Sequence, residues 1–185
     1  MIPYSTINKN WTLFLDRDGV INYEKKADYI RNKDEFTFYP SVLKAIEIFS
    51  KIFNRIIVVT NQKGIGKKLM TVEDLNEIHA FMIEKIELEN GKIDKIYFCS
   101  DIDDASPNRK PNAGMAFQAQ QDFSDIQFST SIMVGNKLSD MQFGKTAGMY
   151  TVFVATTNPE IEFPHPLINN RFNSLIDFAH HLKTV

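Results

Sequence analysis

Five short apolar runs recur along the chain: Thr12-Leu13-Phe14-Leu15, Ile56-Ile57-Val58-Val59, Ile96-Tyr97-Phe98-Cys99, Ser131-Ile132-Met133-Val134 and Tyr150-Thr151-Val152-Phe153-Val154. They are continuous rather than alternating and rich in β-branched and aromatic residues, the pattern of strands buried on both faces. Between them, apolar positions repeat at helical spacing. Val42, Ile46 and Phe49 do so after Pro40. Thr71 is placed to cap a helix carrying Leu75, Ile78, Phe81 or Met82, and Ile86, with Asp74 three residues on in the manner of a capping box. Asn112 is the predicted cap of a segment holding Met115, Phe117 and Ala119, and Ser139 of one that stops at Gly148. Ser174 to Lys183 predicts a terminal helix. Strand and helix in alternation predict an α/β fold, a mostly parallel sheet with helices on both faces.

In such sheets ligands sit outside the carboxyl ends of the strands, so the residues just after each run carry the candidate chemistry. After the first come Asp16-Arg17-Asp18-Gly19. Two acids two apart repel unless a cation lies between them, and hard oxygen donors suit Mg²⁺; the bland alternative is a solvated Asp turn with Gly19 at positive φ. After the second come Thr60 and Asn61, a hydroxyl and an amide beside a Gly-containing loop. That set suits a phosphate oxygen and is equally ordinary turn chemistry. After the third, a polar stretch ends in Arg109-Lys110-Pro111 before a helix, either phosphate ligands or a solvated loop. Gly135-Asn136-Lys137 and Asp140 follow the fourth run, and residues 155–159 after the fifth suggest only a connection.

Composition narrows the class. The 185 residues, 43% hydrophobic and 24% charged, fit one soluble domain spanning 1–185. Lysine plus arginine number 21 against 23 acids, a net charge of −2, so there is no general basic field for nucleic acid or an anionic membrane. The first eleven residues lack the pattern of a signal peptide and no apolar run reaches the ~20 residues of a membrane span, which makes the cytoplasm the expected compartment. Cys99 is the single cysteine, so neither an intramolecular disulfide nor a multi-cysteine zinc site can form.

Taken in order, Asp16-x-Asp18-Gly19-Val20, Thr60, Lys110 and Gly135-Asn136-x-x-x-Asp140 resemble the motifs of the haloacid dehalogenase (HAD) superfamily of phosphohydrolases. The stretches DRDGVIN, VVTNQKGIG, RKPNAGM and MVGNKLSDM are similar to its subfamily IIIA branch, which holds heptose-bisphosphate and histidinol-phosphate phosphatases. The resemblance runs from about Thr12 to Phe153. It implies a HAD-like Rossmannoid fold without a large cap domain, and hydrolysis of a small phosphorylated metabolite through an aspartyl phosphate. Asp16 is then the nucleophile, Asp18 the acid and base, Thr60 and Asn61 phosphate ligands, and Lys110 the balancing cation with Arg109 and Lys137 nearby. Mg²⁺ is implied on Asp16, the Asp18 carbonyl and position 136, with Asp140 supporting.

Two departures from that pattern stand out. The branch usually has Asp where this chain has Asn136, which supplies an oxygen without charge. Many members also carry a zinc loop of the form Cys-Pro-His and Cys-x-Cys-Arg-Lys-Pro. Here the matching positions read Cys99-Ser100-Asp101 and Ser106-Pro107-Asn108, so no zinc is expected and Cys99 reads as a buried strand-end residue. His79, His165, His180 and His181 have no metal-ligand spacing and read as structural or solvent-facing. The expected substrate is a heptose bisphosphate, with histidinol phosphate next and a polynucleotide 3′ end disfavoured by charge. A phosphoacceptor receiver and a non-catalytic phosphate binder are the alternatives from other classes.

Overall fold

The computed structural model describes residues 2–184; Met1 and Val185, the two ends of the span read above as one domain, lie outside them. All five predicted strands form: β1 (Thr12–Leu15), β2 (Arg55–Asn61), β3 (Lys95–Cys99), β4 (Ser131–Gly135) and β5 (Tyr150–Val154). A sixth, β6 (Asn170–Phe172), extends the sheet to the order β3-β2-β1-β4-β5-β6, every pair parallel. β6 has no apolar run because it is a three-residue edge strand, half-buried throughout.

The continuous runs are explained by two cores. Leu13 and Leu15 of β1, with Ile56 and Val58 of β2, face one side of the sheet; Phe14, Ile57 and Val59 face the other. The first side is covered by α1 (Val42–Ile52), α3 (Val72–Leu88) and α6 (Leu175–Lys183), the second mainly by α4 (Gly114–Asp122). A one-turn helix, α2 (Lys63–Gly66), occupies what the two glycines suggest is loop, and α5 (Leu138–Ala147) follows β4. Phe49 of α1 packs at a tilt against Phe178 of α6 with ring centroids 5.4 Å apart, and burying each such ring contributes about 1.5–3 kcal/mol.

Helix capping is as predicted at Thr71 and different at two places. Thr71 and Asp74 form the reciprocal capping box of α3, and Ser174 caps α6. α4 starts after Ala113, because Asn112 turns its amide back to the carbonyls of Asp104 and Ser106. Ser139 is already inside α5, and Asp140 holds the turn that leads into it: its Oδ2 accepts from the N–H of Asn136 (3.2 Å) and of Lys137 (3.0 Å). α5 does stop at Gly148, at φ +90°.

Strand order reverses on either side of β1, so the crevice beyond the ends of β1 and β4 is the place where such a sheet binds ligands. Leu15 and Val134 are register partners, and the N–H of Asp16 continues the ladder to the Val134 carbonyl at 2.9 Å. Asp16 and the Gly135-Asn136 turn therefore leave the sheet side by side.

Candidate active site

Lys110 is the hub. It stands before α4 yet is buried, and its Nζ lies 2.7 Å from Asp16 Oδ1 and 2.7 Å from Asp140 Oδ1 while donating to the Val59 carbonyl at 2.8 Å. One cation between two buried carboxylates leaves a net negative charge. Burial pushes the Asp16 pKa up to about 7, against the pull of Lys110 and with the help of Asp140 and Asp18. Burial lowers Lys110, but Asp140 and Asp16 outweigh it and hold the ammonium above its usual range.

Asp18 is held in the opposite state. Arg17, fully buried, donates to it through Nη2 at 2.7 and 2.8 Å and through Nε at 3.1 Å. Asn22 adds a bond at 2.9 Å and Gln62 one at 3.0 Å. Burial raises the pKa of Asp18, yet Arg17 and these hydrogen bonds prevail and keep it below the usual carboxylate range. Behind Arg17, its Nη1 meets His79 Nε2 of α3 at 3.3 Å. Burial, then Arg17, lower His79 to about 3, so the ring is neutral and accepts from the guanidinium.

The sequence singled out most of this site but not its support. Thr60 is buried, with Gln62 Nε2 donating to its hydroxyl at 2.9 Å. The Asn61 amide closes a two-way bond with the backbone of Lys110, 3.0 Å in each direction, and so fixes that residue. Both oxygens of Asp140 are engaged, one by Lys110 and one by the N–H groups of Asn136 and Lys137. Arg109 Nε donates to Asp104 at 2.7 Å and Lys137 Nζ pairs with Glu24 at 2.6 Å; both line, with Asp16, Asp18 and Lys110, a cavity of about 860 Å³. Arg17 and Gln62 have no role in the sequence reading, and His79 is read there only as structural or solvent-facing. A polar residue on the buried stripe of α3, between Leu75, Ile78 and Met82, was the available signal for His79, since buried polar groups need partners.

The donor set fits a hard cation. Asn136 is fully buried and its Oδ1 has no hydrogen-bond partner among the described residues, although Nδ2 donates to Thr157 Oγ1. A buried acceptor left so is costly, and a cation would satisfy it beside the Asp16 carboxylate. Gly19, at φ +90°, lets the turn approach this amide; a Cβ there would meet Asn136 Nδ2 at 2.0 Å.

At the zinc-loop positions the structure has hydrogen bonds instead. Ser106 Oγ donates to Asp101 and lies 3.9 Å from Cys99 Sγ, and the described residues contain no group of three or more His, Cys, Asp or Glu placed for a metal. Elemental analysis of the purified protein is expected to find no stoichiometric zinc; one zinc per chain contradicts this loop.

The parallel six-stranded sheet and its order are those of a HAD-like phosphatase. Residues 12–166 match the family model described as polynucleotide kinase 3 phosphatase, and the chain belongs to that family. It is 35% identical over 146 residues to the D-glycero-alpha-D-manno-heptose-1,7-bisphosphate 7-phosphatase of Campylobacter jejuni, covering 79% of this chain and 83% of that one. It is 31% identical over 174 residues to the D-glycero-beta-D-manno-heptose-1,7-bisphosphate 7-phosphatase of Helicobacter pylori, covering 92% and 98%. The crystal structure of D,D-heptose 1,7-bisphosphate phosphatase from B. bronchiseptica, complexed with magnesium and phosphate, superposes with a TM-score of 0.85 at 27% identity, covering 94% of this chain and 98% of that chain. Among the described residues no helix is long and apolar enough to cross a membrane.

Proposed function

We propose that this chain, folded as a single domain, is a Mg²⁺-dependent phosphatase that removes the C7 phosphate of a D-glycero-D-manno-heptose 1,7-bisphosphate. The observation that carries the reading is the buried Asp16–Lys110–Asp140 cluster at the mouth of the β1–β4 crevice. A carboxylate held beside a buried cation at this strand end supports attack on phosphorus with the negative charge balanced.

Asp16 attacks phosphorus; the new Asp16–phosphorus bond replaces the bond to the sugar oxygen. Asp18 gives to that oxygen a proton it must first take up from solvent, since Arg17 keeps it ionised, and afterwards takes one from the water that releases inorganic phosphate and restores Asp16. The grip of Arg17 favours the second of these duties and opposes the first. Thr60 binds a phosphoryl oxygen from the end of β2, with its hydroxyl set by Gln62. Lys110 offsets the charge on Asp16 and the phosphoryl group, while Arg109 and Lys137 face the substrate from the cavity wall. The metal donors are the Asp16 carboxylate, the Asp18 main-chain carbonyl and Asn136 Oδ1; when bound, Mg²⁺ neutralises phosphoryl oxygens and lets an anionic nucleophile approach an anion. The loop lysines Lys25, Lys26 and Lys67 also line the cavity and suit the second phosphate of a bisphosphate.

Two results check the metal reading. Asn136→Asp adds a charge to the donor set and is expected to tighten Mg²⁺ binding, seen as a lower Mg²⁺ concentration for half-maximal turnover; an unchanged metal dependence counts against it. Asp16, raised to about 7 by burial, is largely protonated at pH 6 without metal, so Mg²⁺ must displace that proton. Calorimetry in buffers of different ionisation enthalpy is expected to show most of one proton released at pH 6, little at pH 8 and none in Asp16→Asn.

The family description raises a polynucleotide 3′ end as a second reading. The net charge of −2 and the names of the relatives that align over most of the chain favour the small sugar phosphate. A phosphate-release panel with Mg²⁺ over both heptose bisphosphate anomers, histidinol phosphate and a 3′-phosphorylated oligonucleotide separates these. Preference for the oligonucleotide or for histidinol phosphate sinks the substrate proposed.

A further inference from the structure

The turn after β5, residues 155–159, is the strand end without assigned chemistry in the sequence, and in the structure it ties the crevice together. Thr156 Oγ1 donates to the carbonyl of Gly19. Asn158 Nδ2 donates to the main-chain carbonyl of Asn136 at 2.8 Å and to Thr157 Oγ1 at 3.0 Å. Thr157 Oγ1 also accepts from Asn136 Nδ2. Both ends of Asn136, backbone and side chain, are thus held by this one turn.

An amide, unlike a carboxylate, has a wrong way round: one end is an acceptor and the other a donor of nearly the same shape. Rotated by half a turn, Asn136 would present N–H groups to a cation. Its nitrogen is fixed on Thr157, and the oxygen is the end left buried without a partner among the described residues. We propose that Thr157, steadied by Asn158, is a positioning residue that fixes the Asn136 amide with its oxygen toward the divalent cation. This rests on the reading of Asn136 as a metal donor. It also explains how the chain uses Asn where an aspartate, symmetrical in its two oxygens, needs no such guide.

The test is Mg²⁺ affinity by calorimetry on the whole chain, without substrate, with thermal melting to confirm folding. Thr157→Val is expected to weaken Mg²⁺ binding about tenfold, the size of one lost buried hydrogen bond, and Thr157→Ser, which keeps the hydroxyl, to stay within about threefold of the parent. In an Asn136→Asp background the same Val substitution is expected to change the affinity by less than about threefold, because either carboxylate oxygen can serve; a coupling of this kind is what a double-mutant cycle reads. Equal weakening in both backgrounds overturns the proposal in favour of a general structural role. If Asn136→Asp tightens binding but Thr157→Val is silent, the metal assignment stands and the positioning role is overturned alone. If neither substitution moves the affinity, Asn136 is not a donor and both readings fall.

Discussion

Asp16→Asn is expected to fold and to release no phosphate above background, a loss of at least about 10³-fold in kcat, as befits removal of a nucleophile. The amide matches the carboxylate in shape, so Lys110 keeps the Val59 carbonyl and Asp140 as partners. The substitution also removes a buried charge that burial and two neighbouring acids already disfavour. Stability should therefore hold or rise in thermal melts at neutral pH, while single-turnover phosphate release disappears. A variant that melts as the parent and still turns over at a tenth of its rate or better would assign nucleophilic attack elsewhere.

Lys110→Met has the second largest effect and acts on stability as well as rate. Its removal leaves Asp16 and Asp140 facing each other in a buried site with no cation between them. Breaking a buried ion pair from one side costs about 3–5 kcal/mol, which for a chain this long lowers the melting temperature by roughly 10 °C. The sign with pH follows from the carboxylates. Without Lys110 the folded pKa of Asp16, already raised by burial, rises further above the unfolded one, and such a group destabilises the fold once pH passes the unfolded value and the proton is lost. The deficit should be largest near pH 8 and shrink toward pH 5. Activity should fall by about 10²–10³-fold, as for loss of a group that stabilises transition-state charge. Equal stability of parent and variant at pH 8 contradicts the role of Lys110 as the counter-charge of this cluster.

What could be read from the sequence follows from the physics of each element. β1 and β2 were legible because strands buried on both faces must be apolar throughout; β6, half-buried at the edge, carries no such pattern. The α3 cap was legible because Thr71 and Asp74 act on their own backbone, whereas Asn112 turns to the carbonyls of Asp104 and Ser106 and Ser139 lies inside a helix that starts one residue earlier. The same division holds in the site. Asp16, Asp18, Thr60 and Lys110 announce themselves by type and by following a strand. Arg17, Gln62, His79 and Thr157 act through contacts such as the 62-residue span from Arg17 to His79, which only the folded chain brings together. Asn61 and Asp140 show the converse: residue types suited to phosphate or metal also hold Lys110 and the turn before α5 in place.

The most direct test of the account is ³¹P NMR of each heptose 1,7-bisphosphate anomer incubated with the protein and Mg²⁺, beside Asp16→Asn. The expected result is loss of the C7 phosphomonoester signal with release of inorganic phosphate by the parent alone, the C1 phosphate remaining on the sugar. Release from C1, or equal inactivity of parent and variant on both anomers, would contradict it.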